Sequence, residues 1–226
     1  YYMSNNYHSL GVTLGTTLFN KVSLTGTFSG QADNLSKRQM FTTAGYVYAA
    51  NASTRLGNHF NISASYNGYL QTQYDGTVKV NDSTRINRVM HSASLSPSCS
   101  YDTDMLGHTA SMSLNYTSNK DLNPYAKGET DVQTMAFGLS YSMDAKPIET
   151  NFTLSFSHQD SKGFSSHYRS DVLSLGASRS FLKEKNLNFS GTLSLCYNEI
   201  KRQSKSLSMG CDLSANYTYK EAHMFS

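Results

Sequence analysis

Ser157-His158-Gln159-Asp160, with His167 seven residues beyond Asp160, collects the residue types of a hydrolytic site: a hydroxyl nucleophile, an imidazole base and a carboxylate to orient it. Nearness along the chain does not build such a relay, because the hydroxyl and the imidazole must converge in space. No catalytic residue is assigned, and a hydrolase is the least favoured reading. His91 and His108 fall inside alternating runs, where an imidazole is more often a hydrogen-bonded packing group than a metal ligand. Three cysteines, Cys99, Cys196 and Cys211, match no C-x-x-C spacing and read as small packing residues. No metal and no cofactor follow from these side chains.

Eight N-x-S/T tripeptides begin at Asn34, Asn51, Asn61, Asn81, Asn115, Asn151, Asn188 and Asn216. An alternating strand whose polar face is Asn, Ser and Thr generates that tripeptide automatically, so they are read as strand chemistry rather than as sugar acceptors.

The elements that must position these groups are visible in the alternation. In His59 to Tyr74, HFNISASYNGYLQTQY, the even positions from Phe60 to Tyr74 are mostly apolar, while Asn61, Ser63, Ser65, Asn67, Gln71 and Gln73 between them are polar. Period two makes a ribbon with one oily and one wet face. The same pattern covers Leu10 to Leu18, Val22 to Phe28, Met40 to Ala50, Val89 to Tyr101, His108 to Thr117, Thr134 to Met143, Ile148 to His158, Leu173 to Phe181, Leu187 to Asn198 and Leu207 to Tyr219. About eleven strands of roughly nine to sixteen residues are expected, against about five or six residues for an ordinary strand.

Short connections are expected at Asn20-Lys21, Thr54 to Asn58, Asp102 to Gly107, Asp144 to Pro147, Leu182 to Asn186 and Lys220 to His223. Longer polar loops are expected at Gly30 to Gln39, Asp75 to Arg88, Ser118 to Thr130, Gln159 to Ser170 and Glu199 to Lys205. Strand interiors shun charge: only Glu149, Arg179 and Asp212 are read as lying within them. Pro97 falls on the apolar phase and removes a ladder donor, which predicts a bulge.

Hydrophobic residues make up only 38% of the 226-residue chain and charged ones 15%, which fits neither a charge-rich disordered chain nor one with a large packed core. A net charge of +3, scattered, gives no nucleic-acid groove. No apolar run reaches the roughly 18 residues of a spanning helix, and Tyr1 to Asn6 carry no secretory signal.

Long strands alternating Leu, Phe, Tyr and Met with Ser, Thr and Asn, joined by alternately short and long connections, resemble Gram-negative outer-membrane β-barrels along nearly the whole chain. The resemblance implies an all-β, transmembrane, antiparallel up-and-down barrel in the outer membrane, with residues 1–226 forming one domain. Tyrosines near strand ends, Tyr74, Tyr101, Tyr116, Tyr197, Tyr217 and Tyr219, suit the headgroup level, and Arg179 near a short-turn end can snorkel to it. An even strand count with both termini on the short-turn side is not met. The chain is therefore expected to be a segment of a barrel of twelve to fourteen strands or more, lacking at least one strand before Tyr1, with further strands after Ser226 in the larger closure and only a frayed end there in the smaller, or an open sheet completed by another subunit.

The polar face then lines a lumen, for which Asn61, Ser63, Ser94, Ser96, Ser111, Ser113, Glu149, Asn151, Ser190, Thr192 and Asp212 are the candidates. Two readings stay open beside the disfavoured hydrolase: a passage for small polar solutes, or a non-conducting barrel that anchors an envelope complex. Expected partners are outer-membrane lipid, lipopolysaccharide and proteins of such a complex. The basic runs Lys37-Arg38, Arg85 with Arg88, and Lys201-Arg202 with Lys205 are candidates for the lipopolysaccharide contact.

Overall fold

The computed structural model describes residues 7–36, 38–126, 128–181 and 187–217. Tyr1 to Asn6, Lys37, Tyr219, the connections expected at Leu182 to Asn186 and Lys220 to His223, and everything after Tyr217 lie outside the described residues. Eleven strands follow in chain order: β1 (Tyr7–Leu18), β2 (Val22–Asp33), β3 (Phe41–Leu56), β4 (Phe60–Asp75), β5 (Asn87–Asp102), β6 (Leu106–Asp121), β7 (Val132–Ala145), β8 (Thr150–Gly163), β9 (His167–Phe181), β10 (Leu187–Ile200) and β11 (Ser204–Tyr217). Each pairs antiparallel with its sequence neighbours in one meander, and among the described residues β1 and β11 are paired on one side only.

Register carries the alternation across the sheet. Leu24 stands opposite Ala52, Ala52 opposite Ala64, Ala64 opposite Leu95, Leu95 opposite Leu114, and Leu114 opposite Phe137. The row continues through His158 to Asp171. It starts two residues from the short-connection end of β2 and ends ten residues from that end of β9. With strands about 4.8 Å apart and a rise of about 3.3 Å per residue, this stagger corresponds to strands tilted by about 40°, the inclination a sheet needs to curl into a barrel.

Among the described residues no second layer covers the apolar face. Among the described residues only Val80 and Ala145 are buried hydrophobics, whereas Leu10, Met209 and Leu213 are more than 80% exposed. A single-layer sheet with a continuous oily face needs an apolar medium against it, because water would leave that whole area unfavourably hydrated. No helix among the described residues is long and apolar enough to cross a membrane, which leaves crossing by strands open.

Four local expectations need correction. The first hairpin turns one residue earlier than expected: Lys21 N–H donates to the Leu18 carbonyl at 3.0 Å, and Phe19 and Asn20 are the left-handed residues, with φ of 52° and 54°. Pro97 makes no bulge. Leu95 pairs with Leu114 and Ser98 with Ser111, three residues on along both strands, so nothing is inserted and the ladder merely lapses between them. Glu149 is not in a strand, because Lys146–Ile148 form a 3-10 turn with Pro147 in its first positions, and Glu149 closes that turn at φ 49° before β8 begins. Proline favours such a start because its φ is already fixed and it has no N–H to leave unpaired.

The fourth correction is the largest. The connections expected at Gln159 to Ser170 and Glu199 to Lys205 are not long loops: β8 and β9 are joined by residues 164–166, and β10 and β11 by residues 201–203. The strands continue past the apolar band on charged residues, since Asp160 stands opposite Arg169 and Glu199 opposite Lys205. Opposite charges across a strand pair stabilise the ladder where apolar contacts stop. Long connections remain between β2 and β3, β4 and β5, and β6 and β7.

Candidate functional site: the polar face and its rim

Alternation puts ten of the candidate residues on one face. Ser63 lies opposite Ser96 and Asn61 opposite Ser98, and Asn61, Ser63, Ser96 and Ser98 border one recess of about 330 Å³ with Ser23 and Arg55. Ser94 Oγ is 2.7 Å from Ser65 Oγ, Ser111 Oγ is 2.6 Å from Ser140 Oγ, and Ser190 Oγ is 2.6 Å from Ser214 Oγ. Asn151 donates to Ser142 Oγ at 3.0 Å, Ser113 stands opposite Gly138, and Thr192 lies opposite Asp212. Hydroxyls paired across strands each retain capacity for a further hydrogen bond. Glu149, although in a turn, borders a second recess of about 320 Å³ with Asp144, Lys146, Asn151, Ser178 and Ser180.

At the strand tops this face carries carboxylates that organise the long connections. Asp33 accepts from Thr43 N–H at 2.5 Å, Asp75 from Val80 N–H at 2.8 Å, Asp121 from Asn123 N–H at 3.0 Å and Asp131 from Asp121 N–H at 2.8 Å. Asn123 is buried and donates to the carbonyls of Asp82 and Arg85 at 3.0 and 2.9 Å, clamping the β6–β7 connection to the β4–β5 connection. Asn34, also buried, holds its own loop by donating to the Gln39 and Phe41 carbonyls. The basic candidates here are tethered rather than freely solvated: Arg85 is 3.1 Å from Asp82 and Arg88 3.8 Å from Asp121.

The opposite face holds the histidines. His91 Nδ1 lies 2.8 Å from the Tyr66 hydroxyl and 3.3 Å from that of Tyr48, and His108 Nδ1 lies 2.7 Å from the Tyr141 hydroxyl. These are the packing partners expected of them. Tyr74 and Tyr101 are penultimate in β4 and β5, and Tyr217 ends β11. Arg179 sits on the apolar face with its guanidinium 4.7 Å from the Phe181 ring centre. The three thiols are free and lie on separate strands.

Ser157 and His158 point to opposite faces of β8, so they form no nucleophile–base pair. His158 instead lies 2.6 Å from Asp171, and His167 lies 3.0 Å from Asp160, both pairs spanning the β8–β9 hairpin. The His167 hydrogen bond holds the Asp160 carboxyl below the ordinary aspartate range, and at the neighbouring hairpin Lys205 does the same for Glu199. Both carboxyls lie beyond the apolar band, towards the strand tops. Sequence reasoning missed this charged rim by equating charge with loop. Its signal was present, because HQDSK at His158 to Lys162 and HYRSD at His167 to Asp171 carry their charges at period two.

A tilted meander with one face apolar and the other lined by hydroxyls and amides resembles, in architecture, the wall of a Gram-negative outer-membrane β-barrel. Two solved structures carry the likeness. The ferric-catecholate import receptor Fiu from E. coli K12, in its open form, superposes with a TM-score of 0.60 at 7% identity, over 92% of this chain and 48% of that one. The siderophore receptor PiuA from Acinetobacter baumannii gives 0.54 at 8% identity, over 94% and 45%. The chain thus spans about half the length of each receptor, and at these identities the likeness is one of fold. No protein-family model and no curated protein matches the sequence.

Proposed function

We propose that this chain is part of the wall of a β-barrel in the outer membrane of a Gram-negative bacterium, and that the barrel passes small polar solutes. The observation that carries the reading is the register, which keeps one face oily and the other hydroxyl-lined through eleven strands. Hydrocarbon against the first face accounts for its exposure. Water against the second suits groups that can all hydrogen-bond. In hydrocarbon the outer edges of β1 and β11 must also be paired, by strands of the same or another polypeptide. The likeness covers slightly less than half of each receptor chain, which supports a closed wall of more strands than these eleven. One neighbour is named a ferric-catecholate import receptor and the other a siderophore receptor, which supports uptake as the direction of traffic and a polar, hydrogen-bonding solute as the cargo. The candidate residues on the polar face would line its path.

Purified protein in a planar bilayer tests the reading. Stepwise conductance, or solute-dependent block of it, is the expected result. A heat-modifiable barrel that stays silent and carries other envelope proteins through purification would instead make it an anchor for an assembly.

A further inference from the structure

The rim of β8–β11 lies on the apolar phase, so on the reading proposed above it meets the outer layer of the membrane rather than the lumen. Asp160, Arg169, Glu199 and Lys205 form one row of alternating sign across four strands. Lys162 reaches towards Asp160 at 3.8 Å, Arg169 meets Asp171 through Nε at 2.9 Å, and Lys205 meets Glu199 at 3.2 Å. The two signs differ in depth. Lys162, Arg169 and Lys205 are 62%, 50% and 68% exposed, whereas their partners Asp160, Asp171 and Glu199 are 27%, 18% and 25% exposed. The carboxylates are the inner layer, each meeting a charged nitrogen of a cation whose side chain stays half exposed or more. Four residues lower on the same strands, Phe156, Leu173, Leu195 and Met209 form an apolar row. The separation is about 13 Å along the strands.

We propose that this surface binds the phosphate of an outer-leaflet glycolipid, with the acyl chains of that lipid lying on the apolar row beneath. A phosphorylated amphiphile matches both layers at once. Lys162 and Lys205 supply point charges, and Arg169 supplies a planar fork that pairs with phosphate oxygens. The inner carboxylates hold the cations apart, so the phosphate enters between fixed charges and little side-chain freedom is lost on binding.

The protein is reconstituted into phosphatidylcholine vesicles containing a small fraction of bis-phosphorylated lipid A or of the same lipid stripped of phosphate, and lipid retained after mild detergent extraction is quantified by mass spectrometry. Wild-type protein retains the phosphorylated form at least fivefold over the stripped form, and millimolar inorganic phosphate does not displace it. The triple substitution Lys162→Gln, Arg169→Gln and Lys205→Gln removes the preference, while Lys162→Arg with Lys205→Arg keeps it. Equal retention of the two lipids by wild type, or displacement by inorganic phosphate, overturns the proposal without recourse to any variant. A chain that enters the vesicles yet shows no preference refutes the lipid site alone, whereas one that never inserts refutes the membrane reading beneath it.

Discussion

Tyr48 of β3 lies across Gly68 of β4 and brings its hydroxyl to within 3.3 Å of His91 Nδ1 on β5. A Cβ on Gly68 would fall inside the Tyr48 ring. The glycine interrupts the apolar phase of the long β4 run because its missing side chain is what lets one aromatic residue bridge three strands, an arrangement that also offsets the weakness of glycine in a strand.

Gly68→Val should therefore displace the ring, break its contact with His91 and destabilise the sheet by about 1–3 kcal/mol. The measurement is the urea midpoint of the heat-modifiable band. In a Tyr48→Ala background the same substitution should cost much less, and equal costs in the two backgrounds would show that the ring is not the obstacle.

Asn123→Ala should free the β4–β5 and β6–β7 connections from one another while leaving the strands intact. The carbonyls of Asp82 and Arg85 lose the donor that buried Asn123 supplies, and two lost hydrogen bonds amount to about 1–3 kcal/mol felt locally. Limited proteolysis should then cut within residues 76–86 faster than in wild type, with unchanged strand content by circular dichroism.

Acid should loosen the β8–β9 and β10–β11 hairpins first. Asp160 is held below its ordinary range chiefly by His167, and Glu199 chiefly by Lys205. A carboxyl lowered in the folded state contributes stability that is fully present above its unfolded pKa of about 4 and lost as the pH falls through the lower folded value. Hydrogen exchange at residues 158–171 should accelerate below about pH 4, and Asp160→Asn should flatten that acid limb.

Phe19→Gly should stabilise the β1–β2 hairpin by about 1 kcal/mol. Phe19 is 90% exposed, so little packing is lost, and it occupies a left-handed φ of 52° that glycine adopts without a Cβ clash. Thermal scans of the folded band would detect the gain.

Asp212 is a mid-strand carboxylate on the polar face, opposite Thr192. If that face lines a conducting lumen, Asp212→Lys should shift the reversal potential in a salt gradient towards anions. An unchanged potential would mean that ions do not pass this stretch of wall.

Period-two alternation in stretches such as His59 to Tyr74 determined that the chain is a set of long two-faced strands, and which side chains share a face. Side chains alternate whatever the strand pairs with, so Asn61, Ser63, Ser94 and Ser96 could be grouped without any knowledge of neighbours. Where strands end was not legible in the same way. Asp160, Arg169, Glu199 and Lys205 look like loop residues one at a time, and it is the opposite charge across the strand pair that suits each of them to the ladder. Pairing also decided that Pro97 passes without a bulge and that His158 and His167 each meet an aspartate across a hairpin rather than the neighbouring serine. Those outcomes depend on register, a relation between distant segments, and register follows from matching whole faces rather than from the residues of any one strand.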